Sequence, residues 1–157
     1  MTSEDRPLTR LRELPTWLVS QVAGQGHRLL SERLAAAGTR GYDTRLLAAL
    51  LEHGPASQAE LGRRTGIDRS DVVASLNDLA AAGLVERSPD PGDRRRNIVT
   101  VTEDGRRAFA GFARIIDGVQ DDLLSPLSAA ERAELIRLLS ALNEHHGAKA
   151  PWQGAGE

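Results

Sequence analysis

Residues 57–101 read SQAELGRRTGIDRSDVVASLNDLAAAGLVERSPDPGDRRRNIVTV, and the order of signals along them decides the fold. Ser57-Gln58-Ala59-Glu60 has the spacing of a capping box, in which a serine hydroxyl and a glutamate three residues on satisfy exposed helix amides. A short helix from Gln58 to Arg64 follows, closed by the tight turn Thr65-Gly66-Ile67. Asp68 is the next N-cap. The helix it opens carries Val72, Val73, Leu76 and Leu79 on its apolar face, and Gly83 closes it. There the period changes from helical to extended. Leu84–Arg87 and Asn97–Val101 are predicted as two short strands. They flank Asp90-Pro91-Gly92-Asp93, a loop sequence that cannot be helical.

A short capped helix, a turn containing glycine and a longer helix make a helix-turn-helix. Two strands with a basic tip directly after it make a wing. The expected class is therefore mostly α with a small β-wing, a winged helix-turn-helix. The second helix of such a unit enters the major groove of DNA with its N-terminal residues at the base edges. A basic loop beside it is placed to follow phosphates or to enter a narrow minor groove, where negative potential concentrates.

Outward from this unit the punctuation stays legible. Leu11, Leu14, Leu18 and Val22, then Leu29, Leu30 and Leu34, recur at helical spacing. Gly24 and Gly26 weaken the middle of that helix, and Gly38 and Gly41 end it. A second helix starts at Asp43 or Thr44 and stops at Gly54-Pro55. Downstream, Thr102 caps a helix with Glu103 and Asp104 in its first turn, where negative charge suits the helix dipole. Its core stripe is Phe109, Phe112, Ile115, Ile116 and Val119. Ser128-Ala129-Ala130-Glu131 is a second capping box, followed by Leu135, Leu138, Leu139 and Leu142. One continuous domain over 1–157 is expected: helices in 10–42 and 103–146 for dimerisation, the winged-helix lobe at 43–102, and a disordered tail at 147–157.

Composition sets outer bounds. At 157 residues, 40% hydrophobic and 27% charged, the chain can bury a core and falls in the ordinary globular range. The absence of cysteine excludes disulfides, thiolate metal sites and thiol redox switches. Apolar runs are short and interrupted by charge, so no membrane span is expected. MTSEDRPLTR at the N-terminus lacks the apolar stretch of a secretory signal, and a cytoplasmic location is the default. The net charge of −2 does not advertise nucleic acid, but Arg94-Arg95-Arg96 is a tight basic run, and local clustering governs phosphate contact.

Leu61-Gly62-Arg63-Arg64, Gly66-Ile67-Asp68-Arg69-Ser70, Leu79–Arg87 and Asp90-Pro91-Gly92-Asp93-Arg94-Arg95-Arg96 together resemble the MarR family of winged-helix regulators. Val99–Arg106 continues the match, which covers about residues 10–146, and the wing motif D-P-x-D-R-R is its sharpest part. The resemblance implies a homodimer with interleaved first and last helices on a pseudo-palindromic operator near its own promoter. It also implies release from DNA by a small, often phenolic, ligand. Arg95 matches the family's wing arginine, which enters the minor groove, and Asp68 matches an acid that can hold that arginine.

Other roles come from the residues themselves. Arg94 and Arg96 are expected at phosphates, and Asp93 to brace the wing by pairing with an arginine such as Arg87. Arg69 and Ser70 lie at the exposed start of the recognition helix. Arg69 has two open readings, guanine recognition and phosphate contact. Asn77 can reach a base or the backbone, and Ser57 can donate to a phosphate. Asp71 and Ala74 depart from the resemblance, in which a hydroxyl residue and a basic residue are common. A carboxylate at Asp71 repels phosphate unless it accepts from a cytosine amino group or faces an arginine.

The dimer expectation also has an independent basis. One helix-turn-helix reads few base pairs, so useful specificity needs two half-sites. Leu11, Leu14 and Leu18 beside Leu135, Leu138, Leu139 and Leu142 form apolar stripes that a second copy can cover; completing an intramolecular core is the alternative. For a small-molecule effector, Trp17, His27 and Tyr42 are the candidate pocket lining, with core packing the plainer role for Trp17 and Tyr42. No nucleophile elbow, phosphate loop or HExxH pattern occurs, so neither an enzyme nor a cofactor is expected. His145 and His146 are expected to be solvent-exposed. The rival function is a winged-helix module that docks a protein, which three adjacent arginines disfavour because interface cores are depleted of charge.

Overall fold

A computed structural model of the chain describes residues 7–147. Helix α1 (Pro7–Arg12) is short, and α2 (Pro15–Ala36) begins three residues later. The leucine period predicts one continuous helix through Leu11, Leu14 and Leu18, but the chain turns at Glu13-Leu14. Pro15 is the reason. Its ring excludes an amide hydrogen and collides with the preceding turn, so proline is tolerated only at a helix start. Gly24 and Gly26 do not interrupt α2. A Cβ built on Gly26 would stand 3.1 Å from Leu123 Cδ2, so this glycine permits close approach of another helix.

Gly38 ends α2 with φ +75°, its amide donating to Ala35 O at 3.0 Å while Thr39 N donates to Leu34 O at 3.0 Å. This is a glycine-terminated Schellman closure. Gly41, read as part of that stop, instead begins α3 (Gly41–His53), two residues before the predicted start. Arg40 is its N-cap, and the Asp43 carboxylate accepts from Arg40 N at 3.1 Å. Asp43 therefore caps from the third helical position rather than the first.

Strand β1 (Ala56–Ser57) leads into α4 (Gln58–Thr65) and α5 (Arg69–Ala81). Strands β2 (Val85–Asp90) and β3 (Asp93–Val101) complete an antiparallel sheet of order β1-β3-β2. Both hairpin strands are longer than expected, because pairing continues to Asp90 opposite Asp93 and leaves only Pro91-Gly92 as the turn. The sheet, α3, α4 and α5 enclose one core of Leu46, Leu47, Leu50, Leu61, Leu76 and Val99 with their neighbours. On α5 the buried residues are Val72, Ser75, Leu76 and Leu79, so Ser75 takes the inner position expected of Val73.

Helix α6 (Glu103–Leu123) starts against the base of the wing. Thr102 Oγ1 accepts from Gly105 N at 3.0 Å and donates to Gly83 O at 2.7 Å, while Thr102 N donates to Leu84 O at 3.0 Å. Val119 is buried, and Phe109 and Phe112 pack against the lobe's core. Helix α7 (Ala129–Gly147) opens with the reciprocal capping box expected at Ser128: Ser128 N donates to Glu131 at 2.7 Å and Glu131 N to Ser128 Oγ at 3.3 Å. Gly147 belongs to that helix; the rest of the expected tail, 148–157, lies outside the described residues. Asp122 pairs with Arg33 of α2, and Asp121 with Arg132 of α7 at 3.0 Å. Among the described residues no helix is long and apolar enough to cross a membrane.

A Cβ on Gly105 would fall 2.1 Å from the Leu84 carbonyl oxygen and 2.8 Å from Val101 Cγ1. Overpacking of this kind costs about 3 kcal/mol. Gly105→Ala should therefore lower the urea midpoint sharply. Gly111→Ala on the same helix, where an added Cβ meets nothing within 4 Å, should raise it slightly, since alanine favours helix by about 1 kcal/mol. Equal midpoints in the two variants would show that α6 does not seat on the wing base in this way.

Candidate nucleic-acid interface

The connection between α4 and α5 is set by local chemistry. Gly66 adopts φ +69° and its amide donates to Gly62 O at 2.9 Å, so the chain turns without strain. Asp68 caps α5 by accepting from Ser70 N at 3.1 Å and from Ser70 Oγ at 2.7 Å. The Ser70 hydroxyl, more than any other contact, holds the Asp68 carboxyl below the usual range. Asp71 is the third helical residue, where a carboxylate faces the positive end of the helix dipole; this is a local reason for the departure at this position. Ser70, Ala74 and Asn77 are exposed at a spacing of four and then three, and so form one face of α5.

Ser57 sits differently from expectation. It is buried, and its Oγ accepts from Glu60 N at 3.3 Å, which makes half of the predicted capping box. The Glu60 carboxylate instead takes Arg64, one turn along α4. Arg63, which drew no role in the sequence reading, is exposed at the end of α4 without a partner among the described residues. Its signal was a second arginine beside one that Glu60, four residues before it, could hold.

The wing is braced, but by other residues than Asp93 and Arg87. Asp90 accepts from Gly92 N at 2.9 Å and from Arg96 Nη2 at 2.9 Å. The Gly92 amide is the main reason that its carboxyl lies below the usual range, with Arg96 adding to it. Asp93 accepts from the backbone amide of Arg95 at 3.0 Å, and Arg87 Nη2 donates to Asn77 Oδ1 at 2.9 Å. The expected Asp93–Arg87 pair is therefore absent among the described contacts. Asp93 lies at the far end of the hairpin, whereas Arg87 is opposite Val99. Asp68 likewise holds Ser70 rather than a wing arginine.

Strand geometry alternates side chains, which sets Arg94 and Arg96 on one face of the wing and Arg95 on the other. Arg96 is tied to Asp90. Arg94, Arg95 and Arg69 are exposed and have no partner among the described residues. Residues 57–96 hold seven arginines against seven carboxylates, yet the unpaired arginines lie at the end of α4, the start of α5 and the wing tip.

Trp17, His27 and Tyr42 are not brought together. Trp17 and His27 are exposed on α2, while Tyr42 is half-buried against the lobe's core with the Arg45 guanidinium 5.8 Å from its ring centre. A groove of about 400 Å³ runs instead between α2 and α6, lined by Arg33, Ala36, Ala37, Arg114, Ile115 and Gly118. His145 and His146 meet edge to face on exposed α7, and no group of three metal-binding side chains occurs among the described residues. Leu11, Leu14, Leu18, Leu138, Leu139 and Leu142 are all exposed, as are Val19, Val22 and Ile136; Leu135 is half-buried.

A family model described as MarR family matches residues 39–96. The HTH-type transcriptional repressor NicR of Pseudomonas putida is 39% identical over 93 residues, which are 59% of this chain and 59% of NicR. The match thus spans about three fifths of that relative's length. Wild-type MarR from E. coli, in its apo form, superposes with a TM-score of 0.73 at 25% identity, covering 82% of this chain and 96% of that one. A mutant MarR complexed with operator DNA gives 0.67 at 26% identity, covering 88% and 95%. PcaV from Streptomyces coelicolor, in complex with its natural ligand, gives 0.68 at 25% identity, covering 85% and 94%.

The Asp90 node has a pH signature. Its folded-state pKa is depressed, so its support of the wing is present above the ordinary value of 3.8 and is lost as pH falls through the lower folded value. A carboxyl NMR titration should find the Asp90 midpoint below 3.8. Arg96→Ala should raise it only part of the way, because the Gly92 amide remains. An ordinary midpoint in the wild-type protein would mean that the turn is not held by this carboxylate.

Proposed function

We propose that this chain is a MarR-type winged helix-turn-helix transcriptional regulator, acting as a homodimeric repressor of transcription on a pseudo-palindromic operator. The observation that carries this reading is one surface. The face of α5 bearing Ser70, Ala74 and Asn77 stands next to a wing whose Arg94 and Arg95 are unpaired. A helix face of that kind suits a major groove, and an arginine on a strand tip suits the minor groove beside it. Arg69, Arg94 and Arg63 supply phosphate contacts, while Arg96 acts chiefly as the partner of Asp90.

Two copies are needed to cover the exposed leucines of α1, α2 and α7. Within the protomer, α7 has no buried residue, which favours covering by a second copy over completion of an internal core. The helices at 10–42 and 103–146 then form the dimer and the lobe at 43–102 meets DNA. A two-fold pair of recognition helices fits half-sites about one turn of duplex apart. A small effector would act by binding one spacing of the lobes more tightly than the other. The α2–α6 groove is a better candidate for it than the surface around Trp17 and His27. The protein works by binding in the cytoplasm, without catalysis.

A gel shift on the DNA upstream of its own gene, against a scrambled duplex and across a salt series, tests the reading. Specific retention that weakens steeply with salt supports it, since phosphate contacts release counterions. A folded dimer that retains no duplex at any salt would favour a protein-docking role. Arg95→Ala should weaken specific retention at least about tenfold while leaving the dimer intact, as for loss of one well-placed arginine contact. Leu138→Glu with Leu142→Glu should instead halve the mass in sedimentation equilibrium, and a dimer that survives both changes would move the interface elsewhere.

A further inference from the structure

The exposed face of α5 holds two side chains, Ser70 and Asn77, whose hydrogen bonding is directed from inside the protein. Ser70 has one hydroxyl proton, and it is given to the Asp68 carboxylate at 2.7 Å. That carboxyl titrates below the usual range and is ionised at neutral pH, so it can only accept. Ser70 therefore presents lone pairs outward. Asn77 has a carbonyl and an amino group of nearly the same shape, and either could face the wing. Its neighbour there is Arg87, whose Nη2 lies 2.9 Å from Oδ1. A guanidinium has donors only, so it selects the carbonyl and turns the amino group away. The Asn77 amino group has no partner among the described residues. Ala74, between the two, presents a methyl group.

We infer that Arg87 is a specificity-determining residue that acts through Asn77, aiming its amide so that the amino group faces outward and α5 presents acceptor, methyl and donor in order along one face. The inference rests on the DNA-binding reading above. A free asparagine can grip adenine through N7 and the N6 amino group at once, which needs its carbonyl as well as its amino group. The Asn77 carbonyl oxygen keeps a second lone pair, but the bond to Arg87 aims the amide, with Oδ1 toward the wing and Nδ2 away, and so favours acceptors such as guanine O6 and N7 or thymine O4 over the two-point grip on adenine. Ser70, as an acceptor, suits the amino group of adenine or cytosine, and Ala74 suits the thymine methyl. Helix rise places Ser70 and Asn77 about 10 Å apart along the axis, the length of roughly three base-pair steps. The wing thus contributes to base choice through a residue that need not touch a base.

The test is binding selection from a randomised duplex pool, with full-length protein and sequencing of the retained DNA. Asn77→Ala identifies the base pair that Asn77 reads, as the one position per half-site whose preference disappears. At that position the wild-type protein should disfavour adenine on the contacted strand. Arg87→Met, which frees the Asn77 carbonyl, should raise the share of adenine there about tenfold and leave other positions unchanged. Arg87→Lys, which keeps a donor opposite the carbonyl, should stay close to the wild type. An unchanged profile in Arg87→Met, or a loss of affinity equal for all sequences, overturns the inference and makes Arg87 a wing prop or a phosphate contact. So does an Asn77→Ala profile in which every preference survives. A wild-type protein that enriches no sequence overturns the DNA reading itself, a result distinct from the other two.

Discussion

Thr102 is the point at which the three functional pieces of the molecule are held in one geometry. Its hydroxyl donates to the Gly83 carbonyl, just after α5, and accepts from the amide of Gly105 at the start of α6. Its own amide closes on Leu84, at the foot of the wing. The missing side chain of Gly105 lets α6 come within contact of that same carbonyl. Helix α5, the wing and helix α6 therefore share a single joint of backbone and one hydroxyl. A rotation of α6 is carried into α5 with little slack, because close-packed joints transmit displacement instead of absorbing it.

The charge pattern of the lobe acquires meaning only when the pairs are known. Arg64 and Arg96 are held by Glu60 and Asp90, and Arg87 is held by a neutral amide. What is left for an external anion is Arg63, Arg69, Arg94 and Arg95, spread from the end of α4 to the wing tip. The acidic residues nearest to them mostly have work within the lobe: Asp68 caps α5, Asp93 fixes the Arg95 backbone, and Asp90 closes the turn. A segment with no net charge can in this way present a positive surface.

Whatever rests on short-range pattern was legible before any coordinates. Asp68, Thr102 and Ser128 cap helices through bonds to residues two or three places on, and those spacings are written in the chain. The helix-turn-helix and wing follow from the same local signals. The misreadings share a different cause. Strand register sets Arg87 opposite Val99, away from Asp93 at the hairpin end, and Arg96 meets Asp90 instead. Asn77 meets Arg87 across two elements, which neither residue announces. Gly26 looks like a flaw in a helix until Leu123, far along the chain, is set against it. Pro15 was visible all along, but a regular run of leucines outweighed it.

Helix α7 offers a last consequence. It has no buried residue, and within the protomer it is fastened by a capping box and the Arg132–Asp121 ion pair, both at its beginning. In the proposed dimer its remaining order comes from the second copy, so the integrity of the helix follows protein concentration by mass action. A newly made protomer with no partner would show a frayed leucine segment to the proteases and chaperones of the cell, which act on such openings. Surplus single chains would then be cleared while paired ones persisted. The same stripe that builds the dimer would act as a quality-control tag, keeping half-assembled regulator from accumulating.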